Sequence, residues 1–161
     1  MKPEKRINSI LNNFLEQFDC KSELDTDFAY YYSKSLITYS FVVTERDERN
    51  YLNFIRTLAP NINVDIFLIS FLHELGHHMT IDEIEEDEEL FCQDEKEIIS
   101  TELSLCENDY EIDKVYNRYF TLPDEYAATK WAIDYIYNNK DIVSKLWFEL
   151  QKEIIDFYKK I

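Results

Sequence analysis

Ile66-Phe67-Leu68-Ile69-Ser70-Phe71-Leu72-His73-Glu74-Leu75-Gly76-His77-His78-Met79-Thr80 decides how this chain is read. The run is apolar and long enough for a helix of about four turns, with the composition of a buried element, and the polar Asn61 to Asp65 before it offers a cap. All three histidines of the chain fall inside it, within His73-Glu74-Leu75-Gly76-His77-His78. On a helix, residues four apart stand one turn above each other, so His73 and His77 present their imidazoles to one point on one face. That span suits Zn–N bonds of about 2.0–2.1 Å. Glu74, turned by about 100° on the same helix, stands close to such an ion without ligating it and can take the proton of an attacking water. His78 points away from His77 and reads as a surface or supporting histidine. The alternative for the pair is two core histidines that share this spacing by accident, but two buried imidazoles beside a carboxylate need polar partners.

Gly76 belongs to the same argument. It is the only glycine in the chain, and inside a helix it costs about 1 kcal/mol relative to Ala. Something must need the missing side chain; a strand or loop passing close beside the metal is the expected neighbour.

A zinc that works on a substrate keeps three protein ligands and an open position. With no histidine left over, and with Cys20, Cys92 and Cys106 in surroundings unlike a metal site, the third ligand is expected to be a carboxylate. Among 33 acids, Glu125 is the best placed. It lies in the first turn of a helix expected over Pro123 to Asn138, on a stripe continued by Ala128 and Ala132, and a buried carboxylate needs a partner that a metal supplies. Asp124 and Glu102 remain alternatives, and an acid at a helix start can also serve only the helix dipole.

Outward from this centre, the rest of the chain reads as one mostly helical α+β domain over 1–161. Ile7, Ile10, Leu11, Phe14, Leu15 and Phe18 keep a helical spacing. Leu36 to Thr44 alternates with a period of two and reads as a strand, with Ala29 to Tyr32 pairing with it as a hairpin. Glu45 to Leu58 reads as a helix stopped by Pro60. Further helices are expected over Asp94 to Cys106, Glu111 to Tyr119 and Asp141 to Lys160. Seven acids in the eight residues Asp82 to Glu89 read as a solvated connection.

Composition narrows the function. The net charge is −16, from 33 acidic against 17 basic residues, which argues against binding to phosphate backbones. The odd number of cysteines, three, and the absence of close pairs argue for reduced thiols in a cytoplasmic protein rather than a disulfide framework. Neither a secretory leader nor an apolar run of membrane-spanning length is apparent.

His73-Glu74-Leu75-Gly76-His77 followed by Glu125-Tyr126-Ala127-Ala128-Thr129-Lys130-Trp131-Ala132 resembles the ImmA/IrrE-type zinc metallopeptidases. Their second motif begins with a Glu that falls on Glu125 and continues with an Ala on Ala128, an aromatic on Trp131 and an Ala on Ala132. Ala127 and Thr129 depart from it, standing where a second acid and an Asn or Asp are usual, no Pro closes the second motif, and the two motifs stand further apart than expected. The resemblance implies a zincin-like fold with a small antiparallel sheet packed on the active-site helix. It also implies that the strand at Leu36 to Thr44 is the edge on which a peptide substrate is held extended. The activity implied is a Zn²⁺-dependent peptidase, with Glu74 as base and His73, His77 and Glu125 as ligands, acting on a protein or peptide substrate in the regulatory setting of phages and mobile elements. The contrasting expectation is an acidic interaction protein or nucleic-acid mimic that has kept a degenerate site.

Overall fold

A computed structural model describes residues 2–159. Helix α1 (Pro3–Leu15) opens with Pro3 in its first turn and buries Ile7, Leu11, Phe14 and Leu15 along one face. Three short strands follow: β1 (Lys21–Leu24), β2 (Ala29–Tyr31) and β3 (Leu36–Tyr39). Helix α2 (Glu45–Leu58) is capped by Thr44, whose hydroxyl accepts from the Asp47 N–H at 3.1 Å. Then come α3 (Ile66–Thr80), α4 (Glu86–Leu105), α5 (Asp109–Phe120), α6 (Pro123–Asn138) and α7 (Lys140–Tyr158).

The sheet corrects the expectation of an antiparallel one. Its order is β1-β3-β2. β2 and β3 form the expected hairpin, antiparallel with Tyr30 opposite Ile37, but β1 pairs with β3 in parallel, Ser22 opposite Ile37. Strand β1 has no legible signature, because only Ser22 of Lys21-Ser22-Glu23-Leu24 is buried. β1 and β2 are therefore the two edges, and β3 is the central strand rather than the edge expected. It also ends at Tyr39 rather than Thr44. There the Ser40 hydroxyl takes the Val42 N–H at 3.0 Å and turns the chain out of the ladder, leaving Val42 exposed.

Helix α3 runs through the middle of the core. Phe67, Leu68, Ile69, Phe71, Leu72 and Leu75 are buried on it, and it packs on α6 more extensively than any other pair of elements pack. Asp65 caps it as expected, accepting from the Phe67 N–H at 2.8 Å. The acidic block is exposed as expected, but part of it is helical: four acids, Glu86 to Glu89, form the first turn of α4. Negative charge at a helix N-terminus complements the aligned peptide dipoles, so these residues start the helix about two turns before Asp94. α4 buries only Cys92 and Ile99 and lies across the rim of the site described below. The last helix ends at Tyr158; Lys160, expected within it, lies outside the described residues. Among the described residues no helix is long and apolar enough to cross a membrane.

Candidate metal centre

His73 and His77 stand one turn apart on α3 with their Nε2 atoms 3.1 Å from each other. Glu125, on the first turn of α6, reaches across from the facing helix. Its Oε2 is 3.0 Å from His73 Nε2 and its Oε1 is 3.5 Å from His77 Nε2. For tetrahedral bonds of about 2.0–2.1 Å, ligand atoms lie about 3.3 Å apart, so these three donors already surround a point one ion can fill. The His-His-Glu group is thus able to hold a metal ion.

Local sequence explains the convergence. The helical period places His73 and His77 on one face of α3. The absent side chain at Gly76 lets α6 approach, since a Cβ there would stand 2.9 Å from Ala128 Cα. The close neighbour of Gly76 is thus the backbone of a helix, not the strand or loop expected. The ring of His73 is fixed from behind, with Nδ1 3.0 Å from the Thr129 hydroxyl, leaving Nε2 for the centre. An outer partner of this kind sets which ring nitrogen is free to ligate.

The charges are strongly interdependent. Burial alone would raise the pKa of Glu125, but its bonds to His73 and His77 hold the carboxyl well below its usual range. Burial alone would lower that of His77, and Glu125 overrides it, keeping the imidazole above its usual value. Glu74 is raised, chiefly by burial, with the two histidines opposing. A buried carboxyl with a raised pKa holds a proton more readily than an exposed one, the property wanted in a group that takes up and returns a proton.

Glu74 lies on the wall of a cleft of about 600 Å³, which α2, α4 and the segment Thr26–Phe28 enclose with Val42, Val43, Ile99 and Phe120 among its lining residues. A second hollow of about 340 Å³ opens on the other side, beside Ala29, Tyr30 and Tyr32. Phe28, Glu74, Lys96, Tyr119 and Glu125 line both. The two hollows therefore meet at the three-donor group.

Other candidate residues have different places. Glu102 pairs with Arg118 at 2.9 Å and is not part of the group. Asp124 accepts the Glu125 N–H at 2.8 Å and forms an ion pair with Lys96. His78 is a tie between elements. The Tyr30 hydroxyl meets its Nδ1 at 2.8 Å and its Nε2 meets the Phe18 carbonyl at 2.7 Å, joining α3 to β2 and to the turn after α1. The cysteines are free, with Cys20 and Cys92 buried.

Three residues at the site were not anticipated. Lys96 reaches Glu125 Oε1 at 2.6 Å, and the Tyr119 hydroxyl donates to the same oxygen at 2.9 Å. Burial, followed by the charge of Glu125, pushes the Tyr119 phenol well above its usual value, so it remains a donor. Tyr51 sets its ring edge-on to His73, with centroids 5.5 Å apart, and its buried hydroxyl has no hydrogen-bond partner among the described residues. Only Lys96 carried a sequence signal: it is the sole Lys or Arg between Arg56 and Lys114.

In comparisons with family models, curated proteins and solved structures, nothing matches this chain.

Proposed function

We propose that this chain is a zinc-dependent peptidase of the zincin type, with His73, His77 and Glu125 as the ligands and Glu74 as the general base. One observation carries the reading. Three buried or half-buried donors from two helices converge at 3.0–3.5 Å, and a second acid, Glu74, with a raised pKa stands beside them on the wall of a cleft. A bound zinc would supply a Lewis acid that polarises a carbonyl and brings the pKa of water toward 7. Glu74 accepts the proton of the attacking water and passes it to the leaving amine, for which a carboxyl held above its usual pKa is suited. Tyr119 and Lys96 offer donors on the same side.

The substrate suggested is an extended peptide. The free edge of β2 borders the hollow beside His77, where main-chain hydrogen bonds can add a strand to the sheet. The likeness of His73 to His77 and of Glu125 to Ala132 to ImmA/IrrE-type peptidases supports a regulatory protease acting on a protein substrate in the cytoplasm, of the kind carried by phages. The net charge of −16 is what a non-catalytic acidic binder would share.

Metal content and turnover test the reading together. The purified protein is expected to hold about one zinc per chain and to cleave members of a mixed peptide library, with cleavage stopped by a chelator and restored by added zinc. Protein that takes up no zinc and cleaves nothing overturns the peptidase reading and leaves the acidic binder.

A further inference from the structure

Lys96 sits in the middle of α4 among acids, with Asp94, Glu95 and Glu97 as sequence neighbours. It nevertheless turns away from solvent toward α6, where its ammonium group meets Asp124 and lies 2.6 Å from Glu125 Oε1. Its side chain is 31% exposed and that of Glu125 only 3%. Burying an ammonium costs free energy that a surface ion pair with its own helix would have avoided. The Tyr119 hydroxyl donates to the same Oε1 at 2.9 Å, so the two oxygens of Glu125 are engaged differently: Oε2 meets His73 at 3.0 Å, whereas Oε1 is taken by Lys96 and Tyr119 and stands further from its histidine, 3.5 Å from His77 Nε2.

We propose that Lys96, together with Tyr119, is a positioning residue that holds Glu125 Oε1, so that Glu125 offers Oε2 alone to a metal ion. The inference rests on the metal reading above. A carboxylate that is free to rotate can place both oxygens on an ion, which fills a position that water or a substrate carbonyl would otherwise take. An ammonium group and a phenol on one oxygen oppose that rotation, as outer partners of metal ligands commonly do. Asp124 neutralises Lys96 locally, so the pair orients Glu125 without adding net charge beside the ion. A lysine that merely fastened α4 to α6 would leave the coordination of an ion unchanged.

The test uses zinc affinity, measured by competition with a chromophoric chelator, and the visible absorption of the cobalt-loaded protein, which is stronger for four-coordinate than for five- or six-coordinate Co²⁺. The double variant Lys96→Met/Asp124→Asn removes the pair at constant net charge. It is expected to bind zinc about 10–100-fold more weakly and to show weaker cobalt bands, while Lys96→Arg keeps both close to wild type. Wild-type affinity and an unchanged cobalt spectrum in the double variant overturn the proposal and leave the metal site standing. Should the double variant not fold, as judged by circular dichroism, Lys96→Gln decides by the same two readings. A wild-type protein without zinc affinity is a different result, and it removes the metal reading along with this inference.

Discussion

Gly76 and the main chain of Ala128 are so close that a Cβ on Gly76 would stand 2.9 Å from both the Ala128 Cα and its carbonyl carbon. This crossing sets the distance between α3 and α6. Ala128 lies one turn beyond Glu125, so the same crossing sets how far Glu125 must reach to His73. Gly76→Ala would gain about 1 kcal/mol of helix propensity. It meets backbone rather than a side chain that can rotate away, and overpacking of a buried contact costs about 1–3 kcal/mol. A net loss of stability in urea unfolding is expected, accompanied by weaker zinc binding as the helices separate. Gly76→Ala with wild-type stability and zinc affinity would show that the crossing has slack.

Removing one ligand at a time has an expected order of effects. His73→Ala and His77→Ala each delete a donor at the centre and should release the ion, measured as zinc retained after dialysis. Glu125→Ala should do the same. It also takes one of its two acid partners from the half-buried Lys96, leaving Asp124 alone to pair with it, so a loss of stability is expected as well. Asp124→Ala cannot be treated as a helix-end change alone, since Asp124 pairs with Lys96; a moderate loss of zinc affinity is expected. Retention of a full equivalent of zinc by the double His73→Ala/His77→Ala variant would place the metal elsewhere.

The pH dependence follows from the directions of the shifts. His77 is raised, so its contribution to the metal-free fold is complete below the ordinary value of about 6.5 and is lost as pH rises through its folded value. Glu74, also raised, works in the same sense, its contribution being lost as pH rises through its folded value. The lowered Glu125 contributes above its ordinary value of about 4.3 and loses that contribution only in stronger acid. Zinc requires the histidines neutral, so its binding improves with pH over the range in which the metal-free protein weakens. The gap in melting temperature between zinc-loaded and chelator-treated protein should therefore widen from about pH 6 to pH 8. A gap that narrows over that range would contradict the assignment of His77 as a ligand.

Much of the centre was legible because helical geometry turns spacing into direction. His73, Glu74 and His77 needed only a helix, and the apolar run from Ile66 to Leu72 supplied one. Glu125 was legible from the stripe it shares with Ala128 and Ala132 on a helix opened by Pro123. Tyr119 has no such signal, and Lys96 stands out only as a lone cation in an acidic stretch, since they come from α5 and α4 and reach Glu125 only through tertiary packing. Strand β1 was hidden for a related reason: a polar edge strand with one buried residue, paired in parallel to a strand many residues away, leaves no local pattern. The start of α4 is hidden because a run of acids reads as charge to be solvated. The same charge also suits the first turn of a helix.

His78 should separate from its two neighbours under mutation. It lies next to His77, but both of its ring nitrogens are engaged, by Tyr30 and by the Phe18 carbonyl. His78→Ala is expected to keep a full equivalent of zinc and to lose about 1–3 kcal/mol of stability, because it leaves partly buried partners without their hydrogen bonds. Loss of zinc without loss of stability would mean that His78 is a ligand.

Glu74→Gln isolates the chemistry from the binding. Glu74 is 9% exposed and lines both hollows, and it is not a member of the three-donor group. Its amide would keep the shape of the side chain and leave zinc affinity close to wild type, but it cannot take a proton from water. On any peptide the wild type cleaves, the rate should fall by about 10²–10⁴, in kcat more than in KM. A variant that cleaves at the wild-type rate would assign the proton transfer to another group at the junction of the two hollows.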